Sequence, residues 1–133
     1  MTLLTIIYLL MSLESGMNPQ AVGDGGRALG ALQMHKIAVD EANRIGRFVG
    51  SPIRFTYEDR KDIKKCRQMS ARILSFNIKR FRHRYGRKPS AREVMKAWRF
   101  TNIFKDPGPN YTRKIDRILG PEDTTPPSGE IRT

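Results

Sequence analysis

The 133-residue sequence predicts a mainly α-helical fold. Apolar residues recur at helical spacing in several stretches, and glycine or proline closes most of them. No segment alternates apolar and polar side chains convincingly, although the turn-rich stretch around 21–33 admits a short β-hairpin. The length suits one domain, placed at 1–120, followed by a polar, proline-containing tail at 121–133 that is expected to be disordered.

Residues 2–15 read as a helix buried on most faces, because Leu3, Ile6, Ile7, Leu10 and Leu13 repeat at helical intervals. The run also resembles a signal-peptide core. It lacks a basic leader and a small-x-small cleavage site, and it is too short to span a bilayer. We read it as a core helix, with signal or anchor as the alternative. Gly16 suits the residue that stops it. Glu14 therefore falls in the last turn, where the helix dipole disfavours negative charge. Apolar neighbours would desolvate the carboxylate as well, and both effects raise its pKa toward that of a general acid. On position alone, a solvated side chain is the favoured reading of Glu14.

Residues 16–33 are rich in turn formers: Gly16, Asn18-Pro19, Gly23-Asp24-Gly25-Gly26 and Gly30. A segment of this kind inside a compact domain is usually functional. Asp24 is either a plain Asp-Gly turn or a second carboxylate near Glu14. The glycines match no dinucleotide or phosphate-loop pattern. A second helix is expected from about Leu29 to Ile45, striped by Leu32, Val39, Ala42 and Ile45 and closed by Gly46. His35 stands without partner spacing for a metal site. Residues 46–56 are irregular, with Pro52 fitting a linker.

The longest helix is expected from about Glu58 to Tyr85. Ile63, Cys66, Met69, Ile73, Phe76 or Asn77, Phe81 and Tyr85 form its apolar face, Lys and Arg cover the rest, and Gly86 ends it. Cys66 lies on that apolar face and behaves as a small buried hydrophobe. As the sole cysteine it excludes an internal disulfide. Ser90-Ala91-Arg92-Glu93 is a capping box that opens a helix at roughly 91–103. A loop at Asp106–Asn110 leads to a last helix from Tyr111 to Leu119.

Charge is unevenly placed. Residues 1–50 carry four basic and four acidic side chains, whereas residues 51–120 carry twenty basic and six acidic. The basic half is either a solvated surface or a contact for an anionic partner: nucleic acid, an anionic membrane surface or bacterial cell wall.

One set of residues carries a family resemblance. Glu14-Ser15-Gly16, Asn18-Pro19, Ala21-Val22 and Gly30-Ala31-Leu32-Gln33 resemble the Glu-Ser … Gly-Leu-Met-Gln signature of lytic transglycosylases with the goose-type-lysozyme-like fold. The Gly23–Gly26 loop is similar to phage and bacterial members. Ala97-Trp98-Arg99-Phe100-Thr101-Asn102 with Tyr111 resembles a third motif, a helix followed by a downstream active-site tyrosine. Leu32 replaces the methionine of the signature, and no Asn-Gly-Gly run follows the helix.

The resemblance implies a lysozyme-like α-helical domain with a hairpin beside the active-site cleft. It implies cleavage of the MurNAc-GlcNAc β-1,4 bond of peptidoglycan to 1,6-anhydroMurNAc ends, without cofactor or metal. Glu14 would be acid and then base. Ser15, Gly30, Gln33, Tyr111 and Asn102 would contact substrate, with the Gly30 backbone leaving room for the glycan and Tyr111 polarising Glu14. If Asp24 faces the cleft, a lysozyme-type hydrolase becomes the alternative. A reading of another class is a basic nucleic-acid-binding or virion structural protein. Under the enzymatic reading, the partners are peptidoglycan strands, with anionic wall or membrane-surface polymers held by the basic 58–92 region. Specific nucleic acid is not expected, the protein acts as a monomer, and the site of action is the bacterial wall. With no convincing signal peptide, delivery by a phage, a virion or holin lesions is expected.

Overall fold

The computed structural model describes residues 1–120. The expected disordered tail at 121–133 lies outside them. The elements run α1 (Leu3–Ser15), β1 (Val22–Gly23), β2 (Ala28–Leu29), α2 (Lys36–Phe48), α3 (Ile63–Tyr85), α4 (Ala91–Trp98) and α5 (Pro109–Leu119). The architecture is thus mainly helical, with one small antiparallel sheet pairing Val22 with Leu29 and Gly23 with Ala28. A 3-10 turn at Asp24–Gly26 joins the two strands, and another at Tyr57–Lys61 precedes α3.

Helix α3 packs against α1, α2 and α4, and α5 packs against α1 and α4. The core gathers Ile6, Ile7, Leu10 and Met11 of α1 and Cys66, Met69, Ile73 and Leu74 of α3, together with Val94 and Met95 of α4 and Ile115 of α5. The N-terminal apolar run is therefore a core helix. It is less enclosed than its composition suggests, since Leu4 and Tyr8 are exposed. Thr2 caps it by accepting from the Thr5 N–H. Gly16 (φ 65°) and Met17 (φ 68°) end it in left-handed conformation. Their N–H groups reach Ser12 and Met11 carbonyls at 3.0 and 3.1 Å, satisfying groups that the helix end would otherwise orphan.

Several expected boundaries are corrected, among them the start of α5, which is Pro109 and not Tyr111. The second helix begins at Lys36, not Leu29, and runs past Gly46 to Phe48. Residues 29–34 instead form a tight reversal in which Leu29 and Met34 exchange backbone hydrogen bonds at 3.1 and 3.0 Å. Leu32 enters the core from this turn, so its place in the helical stripe was coincidental. Gly46 sits inside α2 because its missing Cβ makes way for the Arg72 guanidinium, which would lie 2.5 Å from such an atom. Arg72 donates to the carbonyls of Ala42 and Ile53, each at 3.2 Å, and to Ser51 Oγ at 2.9 Å. Residues 49–56 are irregular yet anchored. Asn43 Nδ2 donates to the Phe55 carbonyl, and the Phe55 N–H donates back to Asn43 Oδ1.

The longest helix starts at Ile63, not Glu58. Thr56 and Asp59 form a capping box for the preceding 3-10 turn. Asp62 then extends (φ −101°, ψ 118°) and caps α3 through the Lys65 N–H. Tyr85, assigned to the apolar face, is 54% exposed, and Asn77 rather than Phe76 takes the buried position. The fourth helix stops at Trp98, not 103. Buried Asn77 is the reason: its Nδ2 donates to the Thr101 carbonyl and its Oδ1 accepts from the Ile103 N–H, so α3 takes up groups that a continuing helix would use. The Ser90–Glu93 capping box is present as expected. No helix among the described residues is long and apolar enough to cross a membrane.

Candidate active site

The end of α1 presents Glu14 two residues before the left-handed stop at Gly16. Tyr111 is the third residue of α5 and is buried. Packing of α5 against α1 brings its hydroxyl to Glu14, and Tyr111 Oη donates to Glu14 Oε1 at 2.7 Å. The two residues lie 97 positions apart in sequence. Burial pushes the Glu14 carboxyl above its ordinary value. The Tyr111 hydrogen bond, Lys114 and Arg99 pull it back, and the charge of Asp24 adds a small upward push. Burial also raises the Tyr111 phenol, with the Glu14 charge acting in the same direction. Tyr111 is therefore a proton-bearing donor over the working range.

The other expected site residues mostly hold the scaffold. Ser15 Oγ lies 2.7 Å from the Ala31 carbonyl and 3.3 Å from the Met11 carbonyl, and it accepts from the Asn18 N–H at 3.0 Å. It joins the end of α1 to the two turns that follow. In this arrangement the hydroxyl is engaged by backbone groups. Gly30 is buried with φ +86°, and an added Cβ would lie 1.8 Å from the Arg60 carbonyl. On that side the space is filled by the carbonyl. Gln33 has φ 49°, donates through Nε2 to the Gly30 carbonyl at 3.0 Å and sets its amide oxygen against Gly23. It braces the hairpin while remaining partly exposed. Asn102 Oδ1 accepts from the Phe104 N–H at 2.9 Å and closes its own turn.

Asp24 is exposed on the hairpin, with its Oδ2 2.8 Å from His35 Nε2. His35 thus has a carboxylate partner. Among the described residues, no group of three or more His, Cys, Asp or Glu is placed to hold a metal ion. Two open concavities, of about 590 and 740 Å³, lie elsewhere, and Glu14 lines neither.

Several contributors escaped the sequence reading. Lys114 follows Tyr111 by three positions on α5, a helical spacing that could have placed it on the same face. Arg99 lies with its guanidinium 5.7 Å from the centre of the Tyr111 ring. Trp98 Nε1 donates to the Leu32 carbonyl at 3.3 Å, pinning α4 to the 30–33 turn. Arg60 is buried and donates to the carbonyls of Arg27, Met34 and Tyr57, which ties the hairpin to the segment before α3. The contacts of Arg60, Arg99 and Trp98 join distant parts of the chain; Trp98 and Arg99 lie within the third motif, whereas nothing local marks Arg60.

Chemically, the site offers one partly buried carboxyl of raised proton affinity, a phenol donor on one of its oxygens and two nearby cations. Comparison of the chain with protein-family models, with curated proteins and with solved structures gives no match.

Proposed function

We propose that this chain is a lytic transglycosylase of lysozyme-like fold, cleaving the MurNAc-GlcNAc bond of bacterial peptidoglycan with Glu14 as its acid and base. One observation carries the proposal. Glu14 is partly buried at the unfavourable end of α1, its pKa is raised, and Oε1 accepts from Tyr111, the residue that the motif resemblance singled out.

In the proposed reaction, protonated Glu14 gives its proton to the glycosidic oxygen as the C1–O bond breaks. The GlcNAc hydroxyl leaves, and positive charge develops at C1 of MurNAc. Glu14, now a carboxylate, takes the proton from the MurNAc C6 hydroxyl as that oxygen bonds to C1. The anhydro ring closes and the acid is regenerated with no water consumed. Tyr111 holds Oε1 and leaves Oε2 to face the sugar. Burial favours the protonated acid for the first step, and Arg99 and Lys114 stabilise the carboxylate that follows.

Hydrolysis is the second reading. It rests on the charge of Asp24 being felt at Glu14. A second carboxylate would hold the attacking water, but His35 already occupies one oxygen of Asp24. Proposed partners are peptidoglycan strands at the bacterial wall.

Turbidity of purified cell walls tests the proposal. Wild type is expected to clear them, and Glu14→Gln to lose roughly 10²–10⁴-fold in rate. Equal rates would remove Glu14 from the reaction. No lysis by wild type would leave the nucleic-acid-binding and virion-structural alternatives. Mass spectrometry of the released fragments separates anhydro from hydrated ends.

A further inference from the structure

Away from Glu14, the concavity of about 740 Å³ is lined by Phe48 and Val49 at the end of α2 and by Lys79, Arg80 and Arg84 of α3, with Phe104 alongside. Phe48 is 74% exposed and Val49 58% exposed. Neither side chain has a polar tip, so both leave apolar surface in water beside a row of cations. Helix α3 contains no acidic residue at all. Apolar patches of this kind mark contact surfaces.

The partner must supply negative charge and an apolar phase together. Arg80 lies 5.8 Å from the Phe76 ring centre and 5.2 Å from that of Phe104, and Arg84 lies 4.8 Å from the latter. These rings are already faced by the protein's own guanidinium groups, which leaves less ring face for base stacking of the kind that single-stranded nucleic acid uses. A soluble polyanion would satisfy the cations but leave Phe48 and Val49 in water. An anionic bilayer interface satisfies both: headgroup phosphates meet Lys79, Arg80 and Arg84 while the two apolar side chains enter the acyl boundary. We propose that this surface docks the protein on an anionic phospholipid bilayer. The proposal is independent of the glycan-cleaving one, and its readout does not involve wall lysis.

Vesicle flotation of the full chain tests it. Vesicles of phosphatidylcholine containing about 30% phosphatidylglycerol should bind at least about tenfold more tightly than phosphatidylcholine alone, and added salt should weaken that binding. Replacing both Phe48→Ser and Val49→Ser should lower binding about fivefold or more. Circular dichroism should not change, and the melting temperature should fall only slightly, since both side chains are exposed and the edge contact of Phe48 with the Phe76 ring at 5.9 Å is the packing lost. Arg80→Gln with Arg84→Gln should lower it about tenfold or more. Equal binding to the two vesicle types overturns the proposal. So does a Phe48/Val49 variant that binds as well as wild type, because attraction would then be electrostatic alone. Duplex DNA that competes fully for the protein and binds it with the same dependence on Phe48 and Val49 would also overturn it, and would assign the surface to nucleic acid.

Discussion

Glu14 occupies the end of its helix where the dipole is negative, and it is partly withdrawn from water. Both conditions make ionisation costly, so a residue suited to donating a proton is one that weakens the fold once charged. In the folded state its pKa lies above the ordinary 4.5. Below 4.5 the group is protonated whether the chain is folded or not, and its share of stability is intact. As pH rises through the folded-state value that share is lost, because the unfolded chain releases the proton first. Glu14→Gln should therefore melt at a higher temperature than wild type at about pH 8, with the difference fading toward pH 4. Thermal unfolding of both proteins across this range checks the sign. Equal melting temperatures at pH 8 would mean that burial does not strain the carboxylate. Cys66 shows the same physics without function: burial pushes its thiol up to about 12, which leaves it inert.

At the level of the elements, the hairpin and its return turn are held by contacts that tolerate little change. Gly30 combines a left-handed backbone with direct contact to the Arg60 carbonyl. Gly16 is also left-handed, but open space surrounds it. The two glycines should thus respond differently to the same substitution. Gly16→Ala is expected to cost about 1 kcal/mol, the conformational penalty alone. Gly30→Ala adds a clash with backbone and should cost about 3 kcal/mol or more. Denaturant unfolding of the two variants measures the contrast, and similar losses would show that the Arg60 contact relaxes freely.

Across the whole molecule, the candidate site exists because α5 docks on α1. Tyr111 and Glu14 stand near opposite ends of the described chain, and the packing of both helices against α4 places them in contact. The Tyr111 hydrogen bond favours the charged form of Glu14 and so lowers its pKa. Tyr111→Phe removes that pull without altering the ring. The acid then stays protonated to higher pH, and the alkaline limb of the pH–rate profile for wall lysis should move upward. A limb that stays in place would show that Tyr111 positions Glu14 without setting its proton affinity.

Much of the helical architecture was legible in the sequence because local signals carry it: apolar periodicity, the Ser90–Glu93 capping box and the glycine stops at Gly16 and Gly86. Glu14 itself was legible for the same reason, since a helix terminator two residues later fixes where it lies on the dipole. Boundaries failed where another part of the chain competed for the backbone. Asn77 ends α4 from across the core, Arg72 crosses Gly46 without breaking α2, and Leu32 reaches the core from a turn that mimics helical spacing. The contacts of Ser15 and Gly30 were not legible because their partners, the Ala31 and Arg60 carbonyls, are backbone groups that only folding brings near. Local spacing alone shows most of the helices and where the acid Glu14 stands on α1. Tertiary structure decided what that acid touches, because hydrogen bonding between residues 97 apart depends on how helices pack and leaves no trace in local spacing.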